Sequence, residues 1–199
     1  HKKFWKTTYE SQRLMDDLVD LELEAIERIL AKVKSDPEPD HIKQVEIETW
    51  ELLYNAGKNG RRTGLGFTAL ADASAALGLK FDSDEALVEM EKMMRTKCDA
   101  EFQCSIDMAI ERGKFADFDP EIEKTSEFVQ MLQKEFPNVY ERMMQHGRRN
   151  ISISTVAPTG TLSMLAQTSS GIEPVFLTSY TRRRKIMEST PEANVSFVD

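Results

Sequence analysis

Hydrophobic residues recur every three or four positions over most of the first 150 residues, which predicts a mainly helical chain. A first helix is expected from about Trp5 to Lys34. A second closes near Gly57, after a break at residues 35–39 that contains two prolines. The spacing predicts that the following side chains of these two helices face inward: Leu14, Leu18, Leu21, Ala25, Ile29, Val33, Ile42, Val45, Ile47, Trp50, Leu53 and Tyr54.

Charged residues are interleaved with the apolar positions of the first helix. The acidic ones are Asp16, Asp17, Asp20, Glu22, Glu24 and Glu27. A long helix commonly presents such a run to water, so we interpret it as a solvated face and not as a metal site. Two basic groups each leave two interpretations open. Arg61 and Arg62 are either phosphate ligands or salt-bridged surface residues. The cluster at residues 182–185 is either the charged tail of a polar edge strand or a surface that faces an anion.

Helix signals continue in the second third of the chain. Beyond it, a turn at residues 117–120 leads to another helix, which is expected to break at Phe136–Pro137. Ser83 is an N-cap residue that predicts a long helix from Asp84 to about Arg112. Cys98 and Cys104 lie six residues apart on this helix, about 240° around its axis, so they cannot face one partner together. We therefore expect two buried small residues, not a redox pair or a metal pair.

Three stretches break the helical pattern and predict extended structure. Residues 61–67 can form a short buried strand or extended run before an alanine-rich helix that starts at Thr68. Residues 151–156 alternate between larger and smaller side chains, and this strand ends at Pro158 because proline lacks the N–H that a central strand needs. Residues 175–180 predict a third strand. Strands among helices give an α/β, helix-rich fold class.

A turn rich in hydroxyl groups follows the second predicted strand. Its residues are Thr159, Gly160, Thr161 and Ser163. A helix that starts directly after a strand gathers free N–H groups and partial positive charge at one point, so the turn suits an anion, most often a phosphate. The hydroxyls exceed the single N-cap that a helix needs, and glycine lets a ligand approach the backbone. An ordinary capped helix that binds nothing is the alternative.

Composition narrows the class of protein. The 199 residues are 40% hydrophobic and carry a net charge of -8, which argues against a general nucleic-acid-binding surface. The sequence shows neither an apolar run of membrane-spanning length nor a secretory signal, and two cysteines indicate a reducing compartment, so we expect a cytoplasmic protein. A chain that begins at His1 without methionine is typical of a fragment.

Two blocks of sequence resemble the large catalytic subunit of ribonucleotide reductases, and most closely its adenosylcobalamin-dependent branch. They are APTGTLSMLAQTSSGIEPVF at residues 157–176 and RRTGLGFTALADASAALGL at residues 61–79. The helical RLMDDLVDLE at residues 13–22 is also similar to a helix of that subunit. The resemblance covers about Trp5 to Lys185 and implies a partial ten-stranded α/β barrel. The chain would be one fragment of the catalytic barrel domain. Within it, residues 1–59 are helical, 60–147 form a strand and helices, 148–187 contain the phosphate loop and the following strand, and 188–199 are a tail.

The family reduces the ribose 2′ carbon of ribonucleotides by radical chemistry. The resemblance therefore implies a ribonucleotide substrate, an adenosylcobalamin cofactor, deoxynucleotide effectors, a thioredoxin-like reductant and no nucleic-acid or membrane partner. A homodimer is one oligomeric state that it allows. In the family the turn after the strand cradles the substrate phosphates, which assigns that role here to Pro158, Thr159, Gly160, Thr161, Leu162 and Ser163, with Leu162 offering only its backbone.

The catalytic residues of the family have no counterparts in this chain. No Asn-x-Cys-x-Glu motif occurs in it, and Cys98 and Cys104 match none of the cysteine roles of the family. We therefore assign no catalytic and no metal-binding residue, and expect this chain alone to lack reductase activity. The alternatives are the branch that depends on a diiron subunit, and a non-catalytic helical interaction module.

Overall fold

The computed structural model describes residues 1–177, 179 and 181, and these residues form eight α-helices. In chain order they are α1 (Lys2–Ser35), α2 (Asp40–Gly60), α3 (Leu70–Ala76), α4 (Asp84–Arg112), α5 (Pro120–Glu123), α6 (Glu127–Glu135), α7 (Pro137–His146) and α8 (Gly160–Ala166). Helix α1 packs on α2 and α4, α7 packs on α4 and α6, and α3 packs on α4. None of the described helices combines the length and apolar character needed to cross a membrane.

The predicted α/β fold class, with part of a ten-stranded barrel, is wrong for the described residues, which contain no strand and no sheet. Residues 61–69 and 150–159 are extended, but they meet in one isolated parallel bridge, between Leu65 and Ser154. Residues 175–177 are not in a strand either. Residues 178 and 180 and the basic cluster at 182–185 lie outside the described residues.

The register of the two extended segments explains why no regular ladder forms. The Thr63 N–H donates to Ser152 O at 2.9 Å, and the Leu65 N–H donates to Ile153 O at 2.8 Å. The first segment therefore advances by two residues while the second advances by one. A parallel ladder needs equal steps along both strands, so this slip confines the regular pairing to a single bridge.

The main hydrophobic core lies between α4, α6, α7 and the second extended segment. Its buried members are Phe102, Ile106, Phe115, Phe118, Val129, Leu132, Val139, Met143 and Ile153. Ile153 comes from the extended segment, so the packing of the helices also sets the position of the chain that leads to the hydroxyl-rich turn.

The prediction of the buried face was wrong for most positions of the first two helices, although Val33 is buried as predicted. Leu14, Leu18 and Leu21 are exposed, and the buried positions of α1 are Thr8, Gln12, Asp16, Val19, Leu23, Ile26 and Val33. Helix α2 has no buried residue. Apolar side chains occur on more than one side of α1, so the spacing alone does not identify the face that the rest of the protein covers.

Helix boundaries were predicted better than helix faces. Helix α4 spans the predicted Asp84–Arg112, and Pro137 separates α6 from α7 as expected. The region after Pro120 forms two helices, α5 and α6, which a turn at residues 124–126 separates. These boundaries depend on caps and prolines, which are local signals.

The N-cap of α4 gives a first testable prediction. Ser83 Oγ accepts a hydrogen bond from the Ala86 N–H at 3.3 Å. We expect Ser83→Ala to lower the free energy of unfolding by about 1 kcal/mol, because a helix N–H loses its acceptor. Urea denaturation measures the change. Ser126→Ala is the matched control, since Ser126 caps α6 without a side-chain hydrogen bond; equal losses in both variants would contradict the assignment.

Candidate phosphate-binding turn

Each of the two extended segments ends in a residue with a left-handed backbone and then starts a seven-residue helix. Ala69 (φ 64°) precedes α3, and Thr159 (φ 49°) precedes α8. The segments are parallel at their bridge, so both helices start from the same end of the pair. Helix α3 carries Asp72 in its first turn, whereas α8 has no acidic residue there. The partial positive charge at the start of α8 is therefore not offset by a carboxylate of its own first turn.

The six residues predicted to bind phosphate form one turn at the protein surface. Thr159 is half-buried, Ser163 is buried, and the other four are exposed: Pro158, Gly160, Thr161 and Leu162. A Cβ atom added at Gly160 would meet no atom within 4 Å. The space beside this glycine is open, as an approaching ligand requires.

The three hydroxyl groups of the turn have different environments. Thr159 Oγ1 accepts a hydrogen bond from the Gly171 N–H at 2.8 Å, and Ser163 Oγ donates to Gly160 O at 2.8 Å. These two hydroxyls hold the turn and its neighbouring loop in shape. Thr161 makes no side-chain hydrogen bond to the described part of the chain, and it is exposed. It is therefore the hydroxyl best placed to contact a ligand, beside the first N–H groups of α8, which have no acceptor within the helix.

A cleft adjoins the turn on the side of residues 169–177. Its volume is about 440 Å³, and Pro158, Gly171 and Glu173 contribute to its lining. The Glu173 carboxylate accepts a hydrogen bond from the Ile172 N–H at 3.2 Å. The turn thus borders open volume large enough for part of a small molecule.

A buried polar network anchors the start of both extended segments. At its centre Asp16 is fully buried, and its Oδ1 accepts hydrogen bonds from Arg61 Nε at 2.8 Å and from Asn150 Nδ2 at 2.9 Å. Asn150 Nδ2 also donates to Arg61 O at 3.0 Å. Burial alone would raise the pKa of Asp16. The hydrogen bond from Arg61 and the charges of Arg61 and Arg149 oppose that effect and leave the pKa below its ordinary value.

The interpretation of the acidic run as a solvated face was therefore wrong for Asp16. Oxygen atoms of Asp16, Asp17 and Asp20 lie within 4.8 Å of one another, a grouping that could suit a cation. However, Arg61 lies 2.8 Å from both Asp16 and Asp20, and Arg112 lies 2.7 Å from Asp17. Guanidinium groups already neutralise these carboxylates. Of the two interpretations of Arg61, the structure supports the salt bridges, but the side chain is buried and not at the surface.

Both cysteines lie on α4, as predicted, and neither forms a disulfide. Cys104 is buried and Cys98 is partly buried. Burial raises the pKa of each thiol to about 12. Since the thiolate is the nucleophilic form, the raised pKa disfavours nucleophilic reaction of either thiol at neutral pH.

Sequence reasoning missed the buried polar residues that support the turn, above all Asp16, Asn150 and Lys97. One signal could have identified Asp16. It shares helical spacing with Gln12, Val19 and Leu23, which are all buried. Nothing local distinguishes Asn150, because Asp16 is remote in the chain. Lys97 has Glu101 four residues further on, but its second partner, Ser154, is also remote.

The turn combines the start of a helix and the exposed Thr161 hydroxyl with an adjoining open cleft, an arrangement that can accommodate an anion. The chain belongs to the family described as "Ribonucleotide reductase, barrel domain", which matches residues 3–199. This confirms the resemblance inferred from residues 61–79 and 157–176 and does not agree with a helical interaction module of another family. The described residues nevertheless show no barrel.

Curated relatives give the same family. A "Vitamin B12-dependent ribonucleoside-diphosphate reductase" of Mycobacterium tuberculosis is 35% identical over 156 residues, which are 76% of this chain and 20% of that protein. A relative of the same name from Thermoplasma acidophilum is 32% identical over 146 residues, which are 71% of this chain and 16% of that protein. A "Ribonucleoside-diphosphate reductase subunit alpha" of Treponema pallidum is 25% identical over 130 residues, 64% of this chain and 15% of that protein. The chain spans about a fifth of the length of the first of these relatives.

Proposed function

We propose that this chain is part of a ribonucleotide reductase that converts ribonucleotides to deoxyribonucleotides by radical chemistry. In that enzyme its turn at residues 158–163 binds the phosphates of the substrate. The observation that carries the proposal is the family match over residues 3–199 together with the turn geometry at Thr159 and α8. The names of the relatives support a nucleoside diphosphate as the substrate class.

The chemistry of the turn supports a phosphate as its ligand. The start of α8 supplies partial positive charge and N–H donors, and Thr161 adds an exposed hydroxyl. Gly160 leaves room for an oxygen atom close to the backbone. Hydrogen bonds to a charged acceptor contribute about 1.5–3 kcal/mol each, so two or three of them can orient a diphosphate.

The reacting groups of the proposed reaction are not supplied by the described residues. The two cysteines lie on α4, and neither matches a cysteine motif of the family. Asp16 and Glu101 are engaged with basic partners inside the protein. The chain therefore contributes binding and orientation, and we expect no reductase turnover from it alone.

Adenosylcobalamin is proposed as the cofactor of the whole enzyme on the basis of the relatives' names. The described residues do not fit this group. His1, His41 and His146 are exposed at or near helix ends, and the clefts of the described part have volumes of about 130–450 Å³, too small to enclose a corrin with its side chains. No step of the reaction is assigned to a contact between this chain and the cofactor.

One relative supports a second candidate for the cofactor. The Treponema pallidum protein is named as a subunit alpha, which fits an enzyme that depends on a second subunit. Adding adenosylcobalamin to the natural protein that carries this chain separates the two. Turnover without any second subunit supports the cobalamin branch, and turnover only with a metal-containing subunit supports the other.

Two substitutions test the phosphate-binding role of the turn. Gly160→Val fills the open space beside the backbone, and Thr161→Val removes the exposed hydroxyl at nearly constant volume. We expect each variant to weaken binding of a nucleoside diphosphate by about 1–3 kcal/mol, because hydrogen bonds to phosphate are lost. Isothermal titration calorimetry and the KM of the natural protein measure the change.

Thr7→Val is the matched control, since Thr7 is an exposed threonine on α1. We expect it to leave nucleotide binding unchanged. Thr159→Ala is less suitable as a probe, because Thr159 Oγ1 accepts a hydrogen bond from the Gly171 N–H and its removal would disturb the loop. Wild-type affinity in both turn variants would contradict the proposal.

A further inference from the structure

Lys97 and Glu101 form an ion pair inside the protein, one turn apart on α4. Lys97 Nζ lies 2.6 Å from Glu101 Oε2, and the two side chains are only 5% and 3% exposed. Burial raises the pKa of the Glu101 carboxyl, and the charge of Lys97 and a hydrogen bond with Ser154 oppose the shift without cancelling it. Such a pair carries a desolvation cost that its attraction offsets only in part, so stability does not explain its presence.

The same ammonium group also contacts the extended segment that leads to the turn. Lys97 Nζ donates to Ser154 Oγ at 2.5 Å. Ser154 is the residue that bridges to Leu65, and it stands four positions before Pro158. Lys97 therefore contacts the second extended segment at the residue that bridges to the first segment, shortly before the turn.

We propose that Lys97 and Glu101 are positioning residues that hold Ser154 and thereby place the phosphate-binding turn relative to α4. This inference rests on the proposed function. A lysine side chain is flexible, and its ammonium group carries three donors. Glu101 fixes the ammonium group on one side, which directs another donor toward Ser154.

A contact of this kind adds a side-chain hydrogen bond to the other supports of the turn. On its far side Thr159 Oγ1 accepts from the Gly171 N–H, and the Ser169 N–H donates to Asp72. On its near side the segment is held by Ile153 in the core, by backbone hydrogen bonds with Leu65, and by the side chain of Ser154. Leu162 on α8 is 63% exposed, so little packing fixes the short helix itself. Without the near-side contact, the N–H groups at the start of α8 can shift relative to the phosphate.

The test uses steady-state kinetics of the natural protein that carries this chain, with a nucleoside diphosphate as the probe. Lys97→Met combined with Glu101→Met removes the ion pair without leaving a buried unpaired charge. Ser154→Ala removes only the contact to the segment. We expect each variant to raise KM about tenfold with a thermal midpoint near that of wild type, because a small displacement of binding groups weakens ligand contacts. The triple variant that combines these substitutions should raise KM no more than the double variant or Ser154→Ala does, since all three side chains act through one contact.

The matched control is Glu91→Met combined with Arg95→Met, an exposed i,i+4 pair on the same helix that contacts Glu135 instead of the extended segment. It should leave KM unchanged. A purely structural role for Lys97 and Glu101 predicts wild-type KM in the double methionine variant and in Ser154→Ala, and that result would overturn the inference. If the double variant does not fold, Ser154→Ala decides by itself. A separate measurement tests the proposed function: if the turn does not bind phosphate, Gly160→Val will have the KM of wild type.

Discussion

Replacing Asp16 with alanine is expected to lower the free energy of unfolding by about 3–5 kcal/mol, the largest loss that we anticipate for a single substitution. Asp16 is fully buried and lies at the centre of a network of basic groups. Its Oδ2 is 3.3 Å from Arg149 Nε and 3.4 Å from Arg112 Nη1, and its Oδ1 is 2.8 Å from Arg61 Nε. Without the carboxylate, the buried Arg61 keeps only the half-exposed Asp20 as an acidic partner.

Asp17→Ala is the control for this prediction. Asp17 is the next residue on α1 and pairs with Arg112 at 2.7 Å, but its side chain is 49% exposed. Exposed ion pairs contribute about 0–1 kcal/mol, so the control should lose little stability. Urea denaturation of both variants measures the difference, and similar losses would contradict a central role for Asp16.

The pH dependence of stability provides a second measurement on the same residue. The pKa of Asp16 is lowered on folding, so the stability that it contributes is present above its unfolded value near 3.8. That contribution is lost as the pH falls through the lower folded pKa. Acid titration should therefore show wild type and Asp16→Ala converging in stability below pH 3.8, while they differ at neutral pH.

Leu132→Ala is expected to destabilise the protein by about 2–5 kcal/mol, because it opens a cavity in the main core. Leu132 on α6 is completely buried, and its neighbours in the core come from three other elements: Ile106 on α4, Met143 on α7 and Ile153 on the second extended segment. These elements surround Leu132 and cannot all move inward to fill the cavity. The same substitution at Leu52, which is 71% exposed on α2, should change stability by less than about 0.5 kcal/mol.

The Leu132 variant also tests whether the core supports the turn. Ile153 belongs both to the core and to the segment that carries Ser154 and leads to Pro158. If packing at Leu132 helps to place that segment, the variant should bind the nucleoside diphosphate more weakly under conditions in which it is still folded. Unchanged affinity would restrict the support of the turn to its polar contacts.

Local signals in the sequence determined where helices begin and end, and where the hydroxyl-rich turn lies. Ser83 marked the start of α4, Pro137 separated α6 from α7, and the residues around Gly160 marked the turn. The blocks at 61–79 and 157–176 also identified the family. These features were readable because caps, prolines and short motifs depend only on residues close together in the chain.

The tertiary structure alone decided which face of α1 is buried, how the two extended segments pair and what holds the turn. Asp16 meets Asn150 across 134 positions, and Lys97 meets Ser154 across 57. The slip in register between Thr63 and Leu65 also depends on both segments together, and it explains why predicted strands became a single bridge. Such contacts arise only when distant parts of the chain pack, because burial and pairing are properties of the neighbours and not of the residue itself.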